Sequence, residues 1–238
     1  MKKDEMFRIW LGMVAFGCMW GFLEAITFGG TLHRYWGILF PYHLCPCFLM
    51  AAVFGSFVMG SALGIYKKPA MLIGIGLVAA SFCWLGVPFL PASVRSSHYA
   101  PIVASATAAI TGSFSLALVT GFFLKRQERS IPTYIGIGAL SALLASILFI
   151  LFTAYGVDKA ICADLGYACP LPDFLGIGGM AWMVAQAIIF PLGYKVGERQ
   201  YSWFVTGLER KPSLSYAGLA MIIALCFGGG TMAFMIGL

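Results

Sequence analysis

Six stretches of this chain, residues 35–66, 69–94, 96–124, 130–157, 174–194 and 212–238, contain no Asp, Glu, Lys or Arg. A seventh, between Ile9 and Leu32, holds one charge, Glu24. A helix needs about 20 largely apolar residues to cross the hydrocarbon core, and every one of these stretches is long enough. A water-soluble fold must cover its surface with charge. Here 10% of the 238 residues are charged and 61% are hydrophobic, against about 25% charged in soluble domains. Lipid cannot hydrogen-bond the backbone, so a segment inside it is either a helix or a strand of a closed barrel. Short alternating segments, the mark of a barrel, are absent from the sequence.

The expected fold is therefore an all-α integral membrane protein. Residues 1–238 read as a single polytopic bundle of about seven transmembrane helices, with spans near 7–30, 44–66, 69–92, 101–124, 133–155, 175–194 and 214–237. Orientation follows from charge. With the N-terminus inside, Lys2, Lys3, Arg8, Lys67, Lys68, Lys125, Arg126, Arg129, Lys195, Arg199, Arg210 and Lys211 fall on the cytoplasmic side. Only Arg34, Arg95 and Lys159 fall outside, so twelve of the 15 basic residues obey the positive-inside rule. The N-terminus is expected in the cytoplasm and the C-terminus outside, in the plasma (inner) membrane. The formal charge of +6 is then topological and argues against a nucleic-acid partner. The first span exceeds the h-region of a signal peptide and no small-x-small cleavage site follows it, so it reads as a retained anchor.

Small residues at helical spacing, Gly17-x-x-x-Gly21 and Gly60-x-x-x-Gly64, point to close helix packing. The segment from Lys195 to Lys211 mixes Tyr201, Trp203, Phe204 and Leu208 with charges and reads as an interfacial amphipathic segment.

Glu24 is the outstanding residue for chemistry. A carboxylate at that depth costs about 2.5–3.5 kcal/mol on insertion scales, and its helical face carries Gly17 and Gly21, so it is expected to look into the bundle. It serves as a proton, cation or substrate site, as a protonated, hydrogen-bonded structural acid, or as a residue close enough to the outer interface to reach water. His43-Leu44-Cys45-Pro46-Cys47, with His33 nearby, brings together metal-ligand side chains. Two cysteines two residues apart diverge on a regular helix but can converge on an unwound helix start beside Pro46. The readings open here are apolar thiols with interfacial histidines, a metal or other cofactor site at Cys45 and Cys47, or a redox thiol pair. Cys162 and Cys169 share one loop on the expected outer side, where an oxidising compartment favours a disulfide between them. Cys18, Cys83 and Cys226 fall within spans as packing residues, and Gln186 is a lone deep amide suited to bridging helices.

No soluble-enzyme motif is present: there is no Walker A loop, dinucleotide fingerprint, His-Glu-x-x-His or Gly-x-Ser-x-Gly. The chain is not expected to be an enzyme by itself. An outer cluster of Glu24, His33, His43, Cys45 and Cys47 fits a permease or the substrate-capture subunit of a transporter, for a metal ion or small solute. Its general architecture is similar to the membrane-embedded binding subunits of energy-coupling factor transporters, with one span more than is usual there. The alternative is a membrane subunit of a redox complex that binds quinol or haem near the outer face and anchors an extracytoplasmic partner. Both readings imply lipid and other membrane subunits as partners.

Overall fold

The computed structural model describes residues 3–29, 46–85, 92–124, 130–156, 179–210 and 212–236. These form α1 (Lys3–Gly29), α2 (Pro46–Tyr66), α3 (Met71–Leu85), α4 (Ala92–Phe123), α5 (Ile131–Gly156), α6 (Gly179–Arg210) and α7 (Pro212–Ile236), with no strand among the described residues. Four helices hold stretches long and apolar enough to cross a membrane: Met6–Glu24, Ser105–Phe123, Ile131–Phe152 and Ser215–Met232. Shorter apolar stretches run through Ala52–Tyr66 and Met71–Trp84.

The sidedness of α4 and α6 is inverted relative to a soluble bundle. On α4 the exposed stripe is Ile110, Phe114, Leu118 and Phe122, while Ser105, Ala109, Ser113, Leu116 and Thr120 are buried. On α6 Met180, Val184, Ile188 and Leu192 repeat the exposed apolar stripe at four-residue spacing, the repeat of one helix face. Continuous apolar stripes of this extent belong against lipid or another chain, and serine and threonine turned inward let helix backbones approach.

The helices pack in a ring of neighbours, α1 with α3 and α7, α3 with α4, α4 with α5, and α5 with α6, which returns to α2. The tightest pair is α2 with α6. A Cβ on Gly60 would stand 2.5 Å from the Phe190 carbonyl oxygen, and one on Gly64 would stand 2.5 Å from that of Tyr194. Gly193 and Gly197 return the contact against the backbones of Phe57 and Ser61. Two Gly-x-x-x-Gly pairs thus face each other, Gly60-x-x-x-Gly64 on α2 and Gly193-x-x-x-Gly197 on α6. Ser61 Oγ donates 3.2 Å to the Gly193 carbonyl across the same seam.

Two helices extend beyond the expected spans. The stretch from Lys195, expected to be interfacial, continues α6, which runs unbroken to Arg210. Its first turn is committed to packing: Gly197 abuts Ser61 and Glu198 pairs with Lys67. The fourth span, expected near 101–124, starts earlier, since α4 begins at Ala92 and includes His98.

Local signals explain the described ends. Ser130 caps α5, its Oγ accepting from the Thr133 amide at 3.4 Å, and Pro132 occupies the first turn, where its missing N–H costs nothing. Between α2 and α3 the chain reverses at Lys67, whose φ of 54° lies in the left-handed region that penalises a side chain by about 1–3 kcal/mol. Its side chain is anchored: Nζ donates 2.7 Å to Tyr194 OH and 3.3 Å to Glu198 Oε1.

Candidate functional site

Glu24 projects from α1 into the interior and is 1% exposed. Three donors on three helices converge on it. From the preceding turn of α1, Trp20 Nε1 donates 2.6 Å to Oε1. Ser105 Oγ on α4 donates 2.7 Å to Oε2, and Cys83 Sγ on α3 donates 3.4 Å to the same oxygen. Cys83 and Ser105 also approach each other at 3.9 Å, closing the cluster.

Small residues bring these elements within reach. Gly17 and Gly21, on the face of α1 that leads to Glu24, abut Val78 and Phe82 of α3. On the α3–α4 seam, Gly76 lies against Ser113 and the Ala109 carbonyl. A carboxyl at this depth is expensive unless its oxygens are hydrogen-bonded. Here both are.

The chemistry of the cluster is set by Ser105. The indole can only donate to the carboxyl and the thiol is weak in either direction, whereas a hydroxyl donates or accepts well. Ser105 can therefore give its proton to the ionised carboxylate or, by rotating, accept one from the neutral acid. Both protonation states of Glu24 keep a partner without movement of any helix.

A second buried polar cluster sits beside the first. Trp182 Nε1 donates 2.9 Å to Gln186 Oε1. Gln186 Nε2 then donates 2.8 Å to Ser141 Oγ, joining α6 to α5 as expected of a bridging amide. Between the clusters lies a cavity of ≈ 10 Å³ lined by Trp20, Ser56, Trp182 and Gln186 among others. Ser56 Oγ is buried there without a hydrogen-bond partner among the described residues. That is room for about one water.

Of the residues singled out in the sequence, Glu24 lies inside the bundle. His33, His43, Cys45, Cys162 and Cys169 lie outside the described residues, and with them the metal and disulfide expectations. Cys47 falls in the first turn of α2 (Pro46–Tyr66), with its side chain outside the described set. The thiol beside Glu24 is instead Cys83, read in the sequence as a packing residue. Among the described residues no third Asp, Glu, His or Cys joins this pair to make a metal-binding group. Trp20 was discoverable, because a residue four positions before Glu24 shares its face. Cys83 and Ser105 were not, since nothing local ties either to α1.

No family model, curated protein or solved structure matches this chain.

Proposed function

We propose that the chain is a seven-span membrane permease, or the substrate-capture subunit of a transporter, in which Glu24 is the proton- or cation-responsive group. The observation that carries this reading is an ionisable carboxyl enclosed where α1, α3 and α4 meet, held by a partner that suits either protonation state. An acid inside a membrane protein is expensive to keep, and such residues mark ion or substrate pathways. A purely structural contact would be served by an amide, as Gln186 serves between α5 and α6.

The proposed orientation has the N-terminus in the cytoplasm and the C-terminus outside the plasma membrane. Twelve basic residues against three support it. Meeting of the Lys67 turn, Leu124 and Tyr194 at one end of the bundle is consistent with it. The exposed face of α7, with Met221, Leu225 and Met232, offers apolar surface to lipid or to another subunit.

Uptake of a panel of labelled small cations and solutes into proteoliposomes, with and without an external acid gradient, tests the reading. Gradient-dependent uptake by the native protein, lost in Glu24→Gln, is expected. Uptake that keeps its rate and pH profile in Glu24→Gln removes Glu24 from the mechanism. Native protein that moves and binds nothing from the panel, but copurifies with haem or quinone, favours the redox-subunit reading instead.

A further inference from the structure

The opposite end of the bundle carries a second site, built from chemistry unrelated to Glu24. A groove of ≈ 530 Å³ runs between the α2–α3 turn, the C-terminal part of α4 and α6. Its volume lies within the range of about 300–1,000 Å³ typical of ligand sites. Ile73, Phe114, Leu118 and Gly121 give it apolar walls, and Lys67 and Tyr194 stand at its polar end. Gly121 keeps the floor low: a Cβ there would meet only Pro69, at 4.0 Å.

Among the described residues the polar end is short of acceptors. Lys67 Nζ carries three protons, of which Tyr194 OH and Glu198 Oε1 take two, at 2.7 and 3.3 Å. Lysine has no acceptor to offer, so the Tyr194 oxygen must be the acceptor in that contact. The phenolic proton of Tyr194 is then left to donate elsewhere, although the residue is buried. Its ring is locked by stacking on Tyr134 at 4.1 Å and by Lys67 Nζ 4.3 Å above its centroid. Charge tells the same story: among the described residues Lys67 and Lys195 share the carboxylate of Glu198. An oxyanion supplies what two fixed donors and an excess of positive charge lack.

The walls say what the oxyanion is attached to. Phe114 and Leu118 are both in the groove and on the exposed apolar stripe of α4, so the groove opens sideways onto the surface that faces lipid. We propose that this groove binds one anionic phospholipid of the bilayer, its phosphate at Lys67 and Tyr194 and an acyl chain along Ile73, Phe114, Leu118 and Gly121. Under the orientation proposed above this is the cytoplasmic leaflet, where anionic lipids concentrate at basic residues. Bound there, the lipid would tie the α2–α3 turn to α4 and α6.

Native mass spectrometry of the detergent-purified chain, titrated with phosphatidylglycerol or phosphatidylcholine of identical acyl chains, tests this. The native protein should retain phosphatidylglycerol about fivefold over phosphatidylcholine, the effect of one basic side chain near an anionic headgroup. Lys67→Asn should bring that ratio close to one; asparagine tolerates the left-handed backbone at this position, so the turn is kept. Gly121→Leu, which fills the groove without touching the charge, should lower retention of both lipids. Equal retention of the two lipids by the native protein, or a preference that survives Lys67→Asn, overturns the proposal. Full native retention in Gly121→Leu places the lipid elsewhere and overturns it as well. Displacement of phosphatidylglycerol by inorganic phosphate alone would make this a site for a free anion, not for a lipid. None of these outcomes depends on whether Glu24 acts in transport.

Discussion

Trp20 and Glu24 stand one turn apart on α1, and the indole N–H of the first donates 2.6 Å to the carboxyl of the second. Trp182 and Gln186 repeat the arrangement on α6 at 2.9 Å. Each acceptor residue also bonds a serine on another helix, Ser105 in one case and Ser141 in the other. In both, the indole fixes one polar atom from its own helix, so the side chain is already aimed when the neighbouring helix arrives. Trp20→Phe should therefore loosen the Glu24 cluster, leaving the carboxyl one donor short. A loss of about 1–3 kcal/mol is expected for a hydrogen bond removed from a buried group, read as a lower melting temperature in detergent. An unchanged melting temperature would show that the contact does not contribute.

Ser105 is the partner proposed to follow the proton of Glu24. In infrared difference spectra across a pH titration, a carboxylic acid band that disappears in Glu24→Gln identifies this group. Ser105→Ala should shift that band and the pH at which it appears, while the helical content stays the same. A band unmoved by Ser105→Ala would exclude the serine from the protonation step.

At its glycines the seam between α2 and α6 admits no added side chain. At Gly64 a methyl group would meet three backbone atoms, the Tyr194 oxygen at 2.5 Å, the Glu198 nitrogen at 2.7 Å and the Gly197 carbonyl carbon at 2.9 Å, none of which can rotate away. Gly64→Ala is expected to cost about 1–3 kcal/mol, the usual penalty of overpacking. Gly218→Ala meets nothing within 4 Å and should be neutral or stabilising by up to about 1 kcal/mol, from helix propensity. Comparing the two melting temperatures isolates packing from propensity. Equal shifts would refute the packing argument.

Burial pushes the Glu198 carboxyl up, but the hydrogen bonds and charges of Lys195 and Lys67 outweigh it and hold it below its ordinary value of 4.5. A carboxyl depressed in the folded state stabilises above its unfolded value, and that contribution is lost as pH falls through the folded one. Acidification from neutral to below the carboxylate range should lower the melting temperature of the native protein more than that of Glu198→Gln. With the side chain 38% exposed the difference should stay within about 1 kcal/mol. Parallel curves for the two proteins would show that the pairing adds nothing.

Orientation is checked by cysteine labelling in a background stripped of the neighbouring native thiols. Glu128→Cys and Tyr201→Cys should react with an impermeant maleimide only after the cells are opened, and Leu165→Cys in intact cells. Labelling of Glu128→Cys from outside would reverse the orientation.

The helices were legible because lipid makes secondary structure local. An uncharged stretch must satisfy its own backbone within itself, so the expected span near 133–155 and the helix Ile131–Gly156 nearly coincide. The full length of α6 was not legible, for the opposite reason. Charge from Lys195 onward marks the end of apolar sequence, yet a helix continues wherever another helix packs it, as α2 does at Gly197 and Glu198.

Sequence alone determined that Glu24 had to face inward: its helical face carries Gly17 and Gly21, and a carboxyl on the lipid side would be too costly to keep. Which groups meet it was decided only in three dimensions. Cys83 and Ser105 come from 59 and 81 residues away. No hydrophobic period records such a pairing, because a period describes one helix and the site belongs to three. The same holds at the other end of the bundle, where Lys67 reaches across 127 residues to Tyr194. The sequence shows that lysine as one more basic residue; the fold gives it a tyrosine, a carboxylate and a groove.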